Sequence, residues 1–119
     1  MELVGKVVGF ELNSQDPKKM TSFYSAVFGW EISEPRWDYQ TVTTTKEQES
    51  GINGGIAKGP HDYPHGIRLQ IEVDSIEEAI AKATANGALV VRDKMEFDEF
   101  YLAYIVDPVG LGLGLIERK

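Results

Sequence analysis

The sequence predicts an α+β fold made of two βαβββ modules in tandem, and three observations lead to this prediction. Two segments each combine an alternating strand pattern with a helical pattern. These segments superimpose at an offset of 59 residues, which matches Phe10 to Leu69 and Asp16 to Ser75. Three short β-like runs then follow each helical pattern. Because the strand period and the helix period agree with one offset, an internal duplication is predicted.

Both predicted strands have one apolar and one polar face. In the first strand the apolar positions are Val8, Phe10 and Leu12, and the others are Gly9, Glu11 and Asn13. In the second strand the apolar positions are Ile67, Leu69, Ile71 and Val73, and the others are Arg68, Gln70 and Glu72. Successive side chains of a strand point to opposite faces, so each set shares one face of its sheet.

The first helix is predicted between Asp16 and Gly29. Asp16 is a favourable N-cap, and Pro17 suits the first helical position because an N–H would have no partner there. Gly29 favours a left-handed residue at the end of the helix. Apolar side chains recur at helical spacing, at Met20, Phe23, Tyr24 and Val27. This apolar face is expected to pack on the apolar side of the first strand.

The second helix has the same design. Ser75 and Glu78 have the spacing of a capping box at its start. The apolar positions again follow helical spacing, at Ile76, Ala79, Ile80 and Ala83. The helix is expected to end at residues 86–88, where Asn and Gly favour termination. The two terminating glycines, Gly29 and Gly87, miss the offset of 59 by one residue.

The remaining strands are predicted from short β-like runs separated by turn-rich segments. They cover residues 30–33, 39–45 and 55–58 in the first module, and 89–92, 100–106 and 113–117 in the second. Residues 93–100 carry four acidic side chains and are predicted to be a solvated loop. No linker separates two domains, so residues 1–119 are predicted to form a single domain, with modules of about 3–59 and 66–119.

The composition argues against several classes of partner and site. The formal net charge is −7, which disfavours binding to nucleic acid or to an anionic membrane. The chain has no cysteine, so disulfides, thiolate metal sites and a cysteine nucleophile are excluded. The first ten residues follow a strand-like pattern, which predicts neither a signal peptide nor a membrane span. A cytoplasmic location is therefore expected.

Three segments of the chain resemble a known superfamily. They are DPKKMTSFYSAVFGWEI at residues 16–32, IRLQIEVDSIEEAIAKATANGA at 67–88 and IVDPVGLGLGLIE at 105–117. Together with the duplicated layout, they are similar to the vicinal oxygen chelate superfamily of glyoxalase, bleomycin-resistance and extradiol dioxygenase proteins. The resemblance implies a curved mixed sheet with the helices on its convex side. It also implies a homodimer in which the partner covers open edge strands.

Enzymes of that superfamily hold a divalent metal with four His, Gln or Glu side chains on the concave face of the sheet. Carried over by the resemblance, three of these positions fall on Gly9, Arg68 and Gly114, and the fourth lies within residues 54–59. Glycine has no side-chain donor, and the arginine cation repels a metal ion. No residue within 54–59 is a suitable ligand. We therefore predict no cofactor, and a divalent metal is disfavoured.

These positions predict a small-molecule site instead. The candidate ligand-binding residues are Arg68, Gln70, Glu72, Asn13, Gly9 and Gly114. Arg68 would hold an anionic or carbonyl group, and the glycines would leave room for the ligand. One alternative is that Arg68 only pairs with Glu11 or Glu72 on a hydrated sheet face. A relocated metal site on Glu11, Gln70 and Glu72 is another.

Two further groups of residues have a structural interpretation. His61 and His65 lie in a segment rich in proline and glycine, whereas their spacing brings two metal ligands together only on a helix. Solvated loop histidines are therefore predicted. Five aromatic residues are predicted to be core or interface residues, with the wall of an apolar pocket as the alternative: Trp30, Trp37, Tyr39, Tyr101 and Tyr104.

The predicted function is metal-independent binding of a small molecule, of the sequestering or resistance type. One alternative is an enzyme of the same superfamily, a divergent lyase, isomerase or dioxygenase-like protein, with Glu11 as general base if no metal takes part. Another alternative is an interaction module without a ligand. The expected partners are a small molecule and a second copy of the chain, with neither nucleic acid nor membrane.

Overall fold

The structure, a computed structural model, describes residues 3–59 and 65–119. Its elements follow the order βαβββ twice: β1 (Lys6–Asn13), α1 (Pro17–Phe28), β2 (Glu31–Ile32), β3 (Tyr39–Thr43), β4 (Gly54–Ala57), β5 (Gly66–Glu72), α2 (Ile76–Ala85), β6 (Leu89–Glu96), β7 (Phe100–Val106) and β8 (Gly112–Arg118). The predicted α+β fold of two βαβββ modules is confirmed.

The chain forms two compact units. The N-terminal unit is Gly9–Ile67, and the C-terminal unit joins Arg68–Lys119 to the start of β1. The boundary between the two units therefore lies inside β1. The single domain over residues 1–119 stays a prediction.

The N-terminal unit has a mixed sheet in the order β2-β3-β4-β1. Strand β1 runs parallel to β4 and places Phe10 opposite Gly54, whereas β3 is antiparallel to both of its neighbours. Leu12, Val42 and Ile56 form the buried core of this unit. Met20 and Tyr24 of α1 pack against that core. Each large side chain buried in this way contributes about 2 kcal/mol before the loss of entropy is subtracted.

The C-terminal unit repeats this arrangement in the order β5-β8-β7-β6. Strand β5 runs parallel to β8 and places Leu69 opposite Leu113. The offset of 59 relates this pair to Phe10 and Gly54, so the duplication extends to the strand register. The buried core consists of Ile76, Ala103, Ile105 and Leu115, and the predicted apolar positions of α2 pack against it.

Both predicted N-caps are confirmed. Asp16 Oδ1 accepts a hydrogen bond from Lys19 N at 3.1 Å, and Ser75 Oγ accepts one from Glu78 N at 3.1 Å. Side-chain caps of this kind satisfy amides that have no partner within the helix. Gly29 ends α1 with a φ of 68°, the left-handed conformation predicted for it.

The predicted apolar face of α1 is only partly buried. Met20 and Tyr24 pack on the core, but Phe23 and Val27 are 54% and 55% exposed. The expectation that Phe23 packs on β1 is therefore wrong. Met20 and Tyr24 form one row at i, i+4, and Phe23 and Val27 form the next row around the helix. The Phe23 ring instead meets Tyr24 edge-on, with 5.0 Å between ring centroids.

The predicted apolar face of β5 is also partly exposed. Ile67 is 74% exposed and Leu69 is 42% exposed, whereas Ile71 and Val73 pack against the core of the C-terminal unit. The helix α2 that covers this face begins at Ile76, three residues after the end of the apolar pattern. Alternation therefore predicts the face correctly but overestimates how much of it is covered.

The predicted solvated loop at residues 93–100 is wrong. Strand β6 continues to Glu96, and its last residues pair with β7 through Met95 opposite Leu102 and Glu96 opposite Tyr101. Phe97 N donates to Phe100 O at 2.9 Å, so the turn between the strands consists only of Asp98 and Glu99. Charged side chains are compatible with this strand because β6 is the outermost strand of its unit.

The outer strands of the two units offer little opportunity for strand addition. Strand β2 has two residues, and the pairing of β6 with β7 shifts register on both sides of Arg92. Short and bulged edges are known to resist pairing with another chain. Among the described residues, neither helix combines the length and the apolar composition that a membrane span requires.

Candidate functional site

The polar face of the C-terminal unit carries a group of side chains that we call the arginine cluster: Arg68, Gln70, Tyr104 and Gly114. Gln70 on β5 lies opposite Gly114 on β8, and Gly114 lies opposite Tyr104 on β7. Arg68 is only 3% exposed, and its Cζ lies 5.0 Å from the centroid of the Tyr104 ring. Strand β8 lies between β5 and β7, and Gly114 is the residue of β8 opposite Tyr104, so no side chain of β8 stands at that position.

The space next to Gly114 is taken by Gln70. A Cβ added to Gly114 would lie 2.7 Å from Gln70 Oε1, too close for an unshifted neighbour. The cluster thus combines a buried planar cation, an aromatic ring face and a carboxamide. A guanidinium stacked on a ring keeps its fork of N–H donors in one plane, which suits a carboxylate or another planar acceptor.

Glu72 lies on the same strand but is engaged elsewhere. Its carboxylate is 3.1 Å from Arg118 Nε and 3.5 Å from Lys6 Nζ. The hydrogen bond from Arg118 and the nearby Lys6 cation lower the pKa of Glu72, so it remains ionised at neutral pH. Two cations therefore compete with any ligand for this carboxylate.

The polar face of the N-terminal unit carries a second group, the glutamate cluster: Glu11, Asn13, Tyr39, Gly55 and Gly59. Glu11 and Asn13 are 1% and 2% exposed. Asn13 Nδ2 donates to Glu11 Oε1 at 3.4 Å, and Gly59 N donates to Asn13 Oδ1 at 3.2 Å. This arrangement orients the carboxamide of Asn13 with its donor towards the acid.

Tyr39 completes the glutamate cluster. A Cβ on Gly55 would collide with the Tyr39 hydroxyl and ring, and a Cβ on Gly59 would collide with the carboxamide of Asn13. Burial, and after it the negative charge of Glu11, raise the pKa of Tyr39 to about 12. The phenol therefore stays protonated through the physiological range and can donate a hydrogen bond.

The strand register also identifies the fourth position at which the superfamily resemblance places a ligand. Glu11 lies opposite Gly55, and the offset of 59 relates this pair to Gln70 and Gly114. Gly55 is therefore the counterpart of Gly114. Both positions are glycines whose side-chain space is filled by a neighbouring polar group.

A family model described as a glyoxalase-like domain matches residues 9–116, which is most of the chain. The chain belongs to the glyoxalase-like domain family. This confirms the resemblance to the vicinal oxygen chelate superfamily. Among curated proteins no sequence matches this chain.

Solved structures of low sequence identity share the fold of this glyoxalase-like domain. A glyoxalase/bleomycin resistance protein/dioxygenase superfamily member from Vibrio splendidus 12B01 is 17% identical, with a TM-score of 0.64 over 97% of this chain and 99% of that one. A Streptomyces coelicolor methylmalonyl-CoA epimerase is 12% identical, with a TM-score of 0.63 over 98% and 99%. At these identities the similarity shows the fold alone.

The side chains of this glyoxalase-like domain do not fit the divalent metal that the superfamily resemblance implies. The four positions are Gly9, Gly55, Arg68 and Gly114, which offer three glycines and a cation. Within residues 3–59 and 65–119, no group of three or more His, Asp or Glu side chains could hold a metal ion. No step of a mechanism is therefore assigned to a metal.

The remaining predicted residues have separate environments. His65 is exposed, and its Nε2 lies 3.3 Å from Gln15 Nε2, while His61 lies outside the described residues.

Among the predicted aromatic residues, Trp30 stacks on Tyr24 with 4.7 Å between ring centroids, as expected for a core aromatic. Lys94 and Lys119 lie over the ring of Tyr101. Trp37 is exposed, so it is not a core residue, and the alternative of an interface residue stays a prediction.

Tyr39 and Tyr104 are among the aromatics predicted to be core or interface residues, with the wall of an apolar pocket as the alternative, and the sequence does not connect them with Arg68 or Glu11. For Tyr104 a signal was present, because Ala103 and Ile105 are both buried in the core and alternation puts Tyr104 on the opposite face. For Tyr39 the signal was weaker, since its approach to Gly55 depends on the register between β3 and β4.

Proposed function

We propose that this glyoxalase-like domain binds a small molecule with a carboxylate or carbonyl group at the arginine cluster, without a metal. The observation that supports this most is the placement of Arg68, a buried guanidinium against the ring of Tyr104. A cation costs much free energy to remove from water. Such a group is kept where it has a partner or a ligand whose charge matches it.

The ligand contacts follow from the geometry of the cluster. Arg68 binds the anionic or carbonyl oxygens through charge-assisted hydrogen bonds. The Gln70 carboxamide, at the edge of this group, offers both a donor and an acceptor. Gly114 adds no side chain of its own, and the Gln70 carboxamide fills the space beside it. The roles of Glu72, Asn13 and Gly9 in ligand binding stay predictions.

The test compares charged and neutral forms of the same probe. Isothermal titration uses benzoate against benzamide, and pyruvate against pyruvamide. We expect only the carboxylates to bind, and Arg68→Gln to weaken this binding at least tenfold. Arg118→Gln is the matched control, because it removes an exposed guanidinium from the same unit and should change the affinity less than twofold. Equal binding of acid and amide would contradict the proposal.

The proposal that binding needs no metal ion has its own test. Protein dialysed against EDTA should bind benzoate as tightly as untreated protein. Stoichiometric uptake of Ni²⁺, Zn²⁺ or Mn²⁺, together with benzoate affinity that depends on the metal, would overturn it. If Arg68→Gln fails to fold, Arg68→Lys retains the charge but loses the planar fork, and it should still weaken carboxylate binding.

An enzymatic function is the second candidate, because the glutamate cluster combines a buried acid with a tyrosine that stays protonated. In this function Glu11 acts as general base and Tyr39 as a hydrogen-bond donor to a developing negative charge. Exchange of the pyruvate methyl protons in D₂O, followed by NMR, measures such a reaction. Exchange that is lost in Glu11→Gln while benzoate binding persists would favour the enzyme over the binder.

We also propose that the protein acts as a cytoplasmic homodimer. The short β2 and the bulged β6 disfavour a dimer made by pairing edge strands. The exposed apolar row of Phe23 and Val27 on α1 is a more suitable surface. Light scattering should give twice the mass of 13.3 kDa. A monomer at micromolar concentration would contradict the dimer.

A further inference from the structure

The tight turn between Arg36 and Tyr39 has an unusual backbone. Arg36 N donates to Tyr39 O at 2.8 Å, and Tyr39 N donates to Arg36 O at 3.0 Å. The two central residues, Trp37 and Asp38, have φ values of 55° and 59°. Two-residue turns with positive φ at both positions strongly favour Asn-Gly or Asp-Gly. Asp tolerates this conformation, but for a bulky residue such as tryptophan it is an outlier.

The strained position carries an exposed aromatic side chain. Trp37 is 78% exposed, so burial of its ring does not compensate for the backbone conformation. Backbone strain in folded proteins is concentrated at functional sites. Asparagine or glycine would relieve the strain, but either would remove the indole ring. The indole itself is therefore the feature that the turn presents.

The Trp37 ring already binds a cation of its own chain. Arg36 Cζ lies 4.8 Å from the centroid of the ring, within the range of a cation–π contact. The surrounding segment is acidic, since residues 31–38 contain Glu31, Glu34 and Asp38 against the single cation of Arg36. With a net charge of −7 for the whole chain, an approaching cation is attracted.

We propose that the Arg36–Tyr39 turn is a recognition element for a guanidinium group, which stacks on the Trp37 ring in place of Arg36. The group is either a free guanidinium compound or an arginine side chain of another protein. Arg36 competes with the ligand for the ring face and repels it. This site is separate in chemistry from the arginine cluster, because it selects cations where that cluster selects anions.

The first experiment separates stacking from simple charge attraction. Isothermal titration compares a peptide of six arginines with a peptide of six lysines, which has the same charge but no planar group. We expect the arginine peptide to bind at least fivefold tighter. The variant Trp37→Asn/Asp38→Gly, which has a favourable turn sequence, should abolish this difference and raise the melting temperature. Equal binding of the two peptides by the wild type would overturn the proposal.

The second experiment tests the competition by Arg36. Arg36→Ala should tighten binding of the arginine peptide at least threefold. Lys58→Ala is the matched control, because the backbone amide of Lys58 bonds to Asp38 O and the substitution removes one positive charge next to the turn. It should change the affinity less than twofold. Equal effects of the two variants, or weaker binding by Arg36→Ala, would overturn the proposal.

The third experiment locates the contact and identifies the source of the ligand. In Trp30→Phe the single tryptophan is Trp37, and its fluorescence should change with added arginine peptide. In Trp37→Phe the remaining Trp30 should not respond, and a response there would count against the site. Displacement of the peptide by millimolar ethylguanidinium indicates a free compound as the ligand, whereas persistence of the complex indicates an arginine-bearing protein segment.

Discussion

The two modules share a backbone plan and differ in the polar face that each presents. In both, a parallel strand pair places a polar side chain opposite a glycine, Glu11 opposite Gly55 and Gln70 opposite Gly114. The N-terminal unit then adds Tyr39 and forms a buried acid–phenol group. The C-terminal unit instead adds Arg68. The two units thus share their strand register, while the buried polar side chain is a carboxyl group in one unit, Glu11, and a guanidinium in the other, Arg68.

Substitution of Gly55 and of Gly114 should give the largest difference in stability between the two modules. Gly55→Ala places a methyl group against the hydroxyl and ring of Tyr39, and Gly114→Ala places one against the end of the flexible Gln70 side chain. Overpacking costs about 1–3 kcal/mol. We expect a loss of about 3 kcal/mol for Gly55→Ala and about 1 kcal/mol for Gly114→Ala, measured by urea unfolding.

A second substitution checks the cause of the Gly55→Ala effect. In a Tyr39→Ala background the methyl group at position 55 meets no ring, so the cost should fall by more than half. This coupling would appear directly in a double-mutant cycle. If Gly55→Ala were equally harmful with and without Tyr39, the backbone rather than the phenol would explain the glycine, and the contrast between the modules would lose its basis.

The raised pKa of Tyr39 should make the stability of the protein depend on pH, with a smaller effect than the glycine substitutions and within a defined pH range. An unperturbed tyrosine loses its proton near pH 10, whereas Tyr39 in the fold does so at about 12. Above pH 10 the unfolded state therefore binds fewer protons than the folded state, and stability falls as the pH rises to about 12. The expected loss is about 2 kcal/mol relative to Tyr39→Phe, measured by urea unfolding across this range.

Glu11→Gln refines the same measurement. The substitution removes the negative charge at position 11, which is the smaller of the two causes of the raised pKa of Tyr39, and it leaves the burial of the phenol. The pKa of Tyr39 should therefore fall yet stay above 10. Ultraviolet absorbance of the phenolate reports this change, with Tyr39→Phe to identify the signal among five tyrosines. A pKa that Glu11→Gln leaves unchanged would show that the two groups do not interact.

Much of the fold follows from the sequence because it depends on local signals that agree with one another. The caps at Asp16 and Ser75, the helical spacing and the offset of 59 residues all lie in short segments. The acidic segment at residues 93–100 is predicted to be a loop because locally its charges outweigh its strand pattern. In the structure, pairing with the apolar β7 decides its conformation.

The candidate site could be predicted only in part. Alternation places Arg68 and Gln70 on one face, and the superfamily resemblance marks Gly9 and Gly114. The aromatic partners depend instead on strand register, which brings Tyr104 beside Gly114 from a separate strand. The strain at Trp37 could not be predicted, because the sequence of that turn lacks the glycine that usually reveals its backbone conformation.

The helix caps give the smallest contrast between the modules. Asp16→Ala removes the side-chain acceptor for Lys19 N and should cost about 1 kcal/mol. Ser75→Ala should cost about half as much, roughly 0.5 kcal/mol, because Glu117 Oε1 accepts a second hydrogen bond at that helix start, from Ile76 N at 2.8 Å. In the Glu117→Gln background that acceptor loses its charge, so Ser75→Ala should then cost as much as Asp16→Ala. Thermal unfolding of the four variants measures this, and equal costs in the wild-type background would mean that Glu117 does not share the cap.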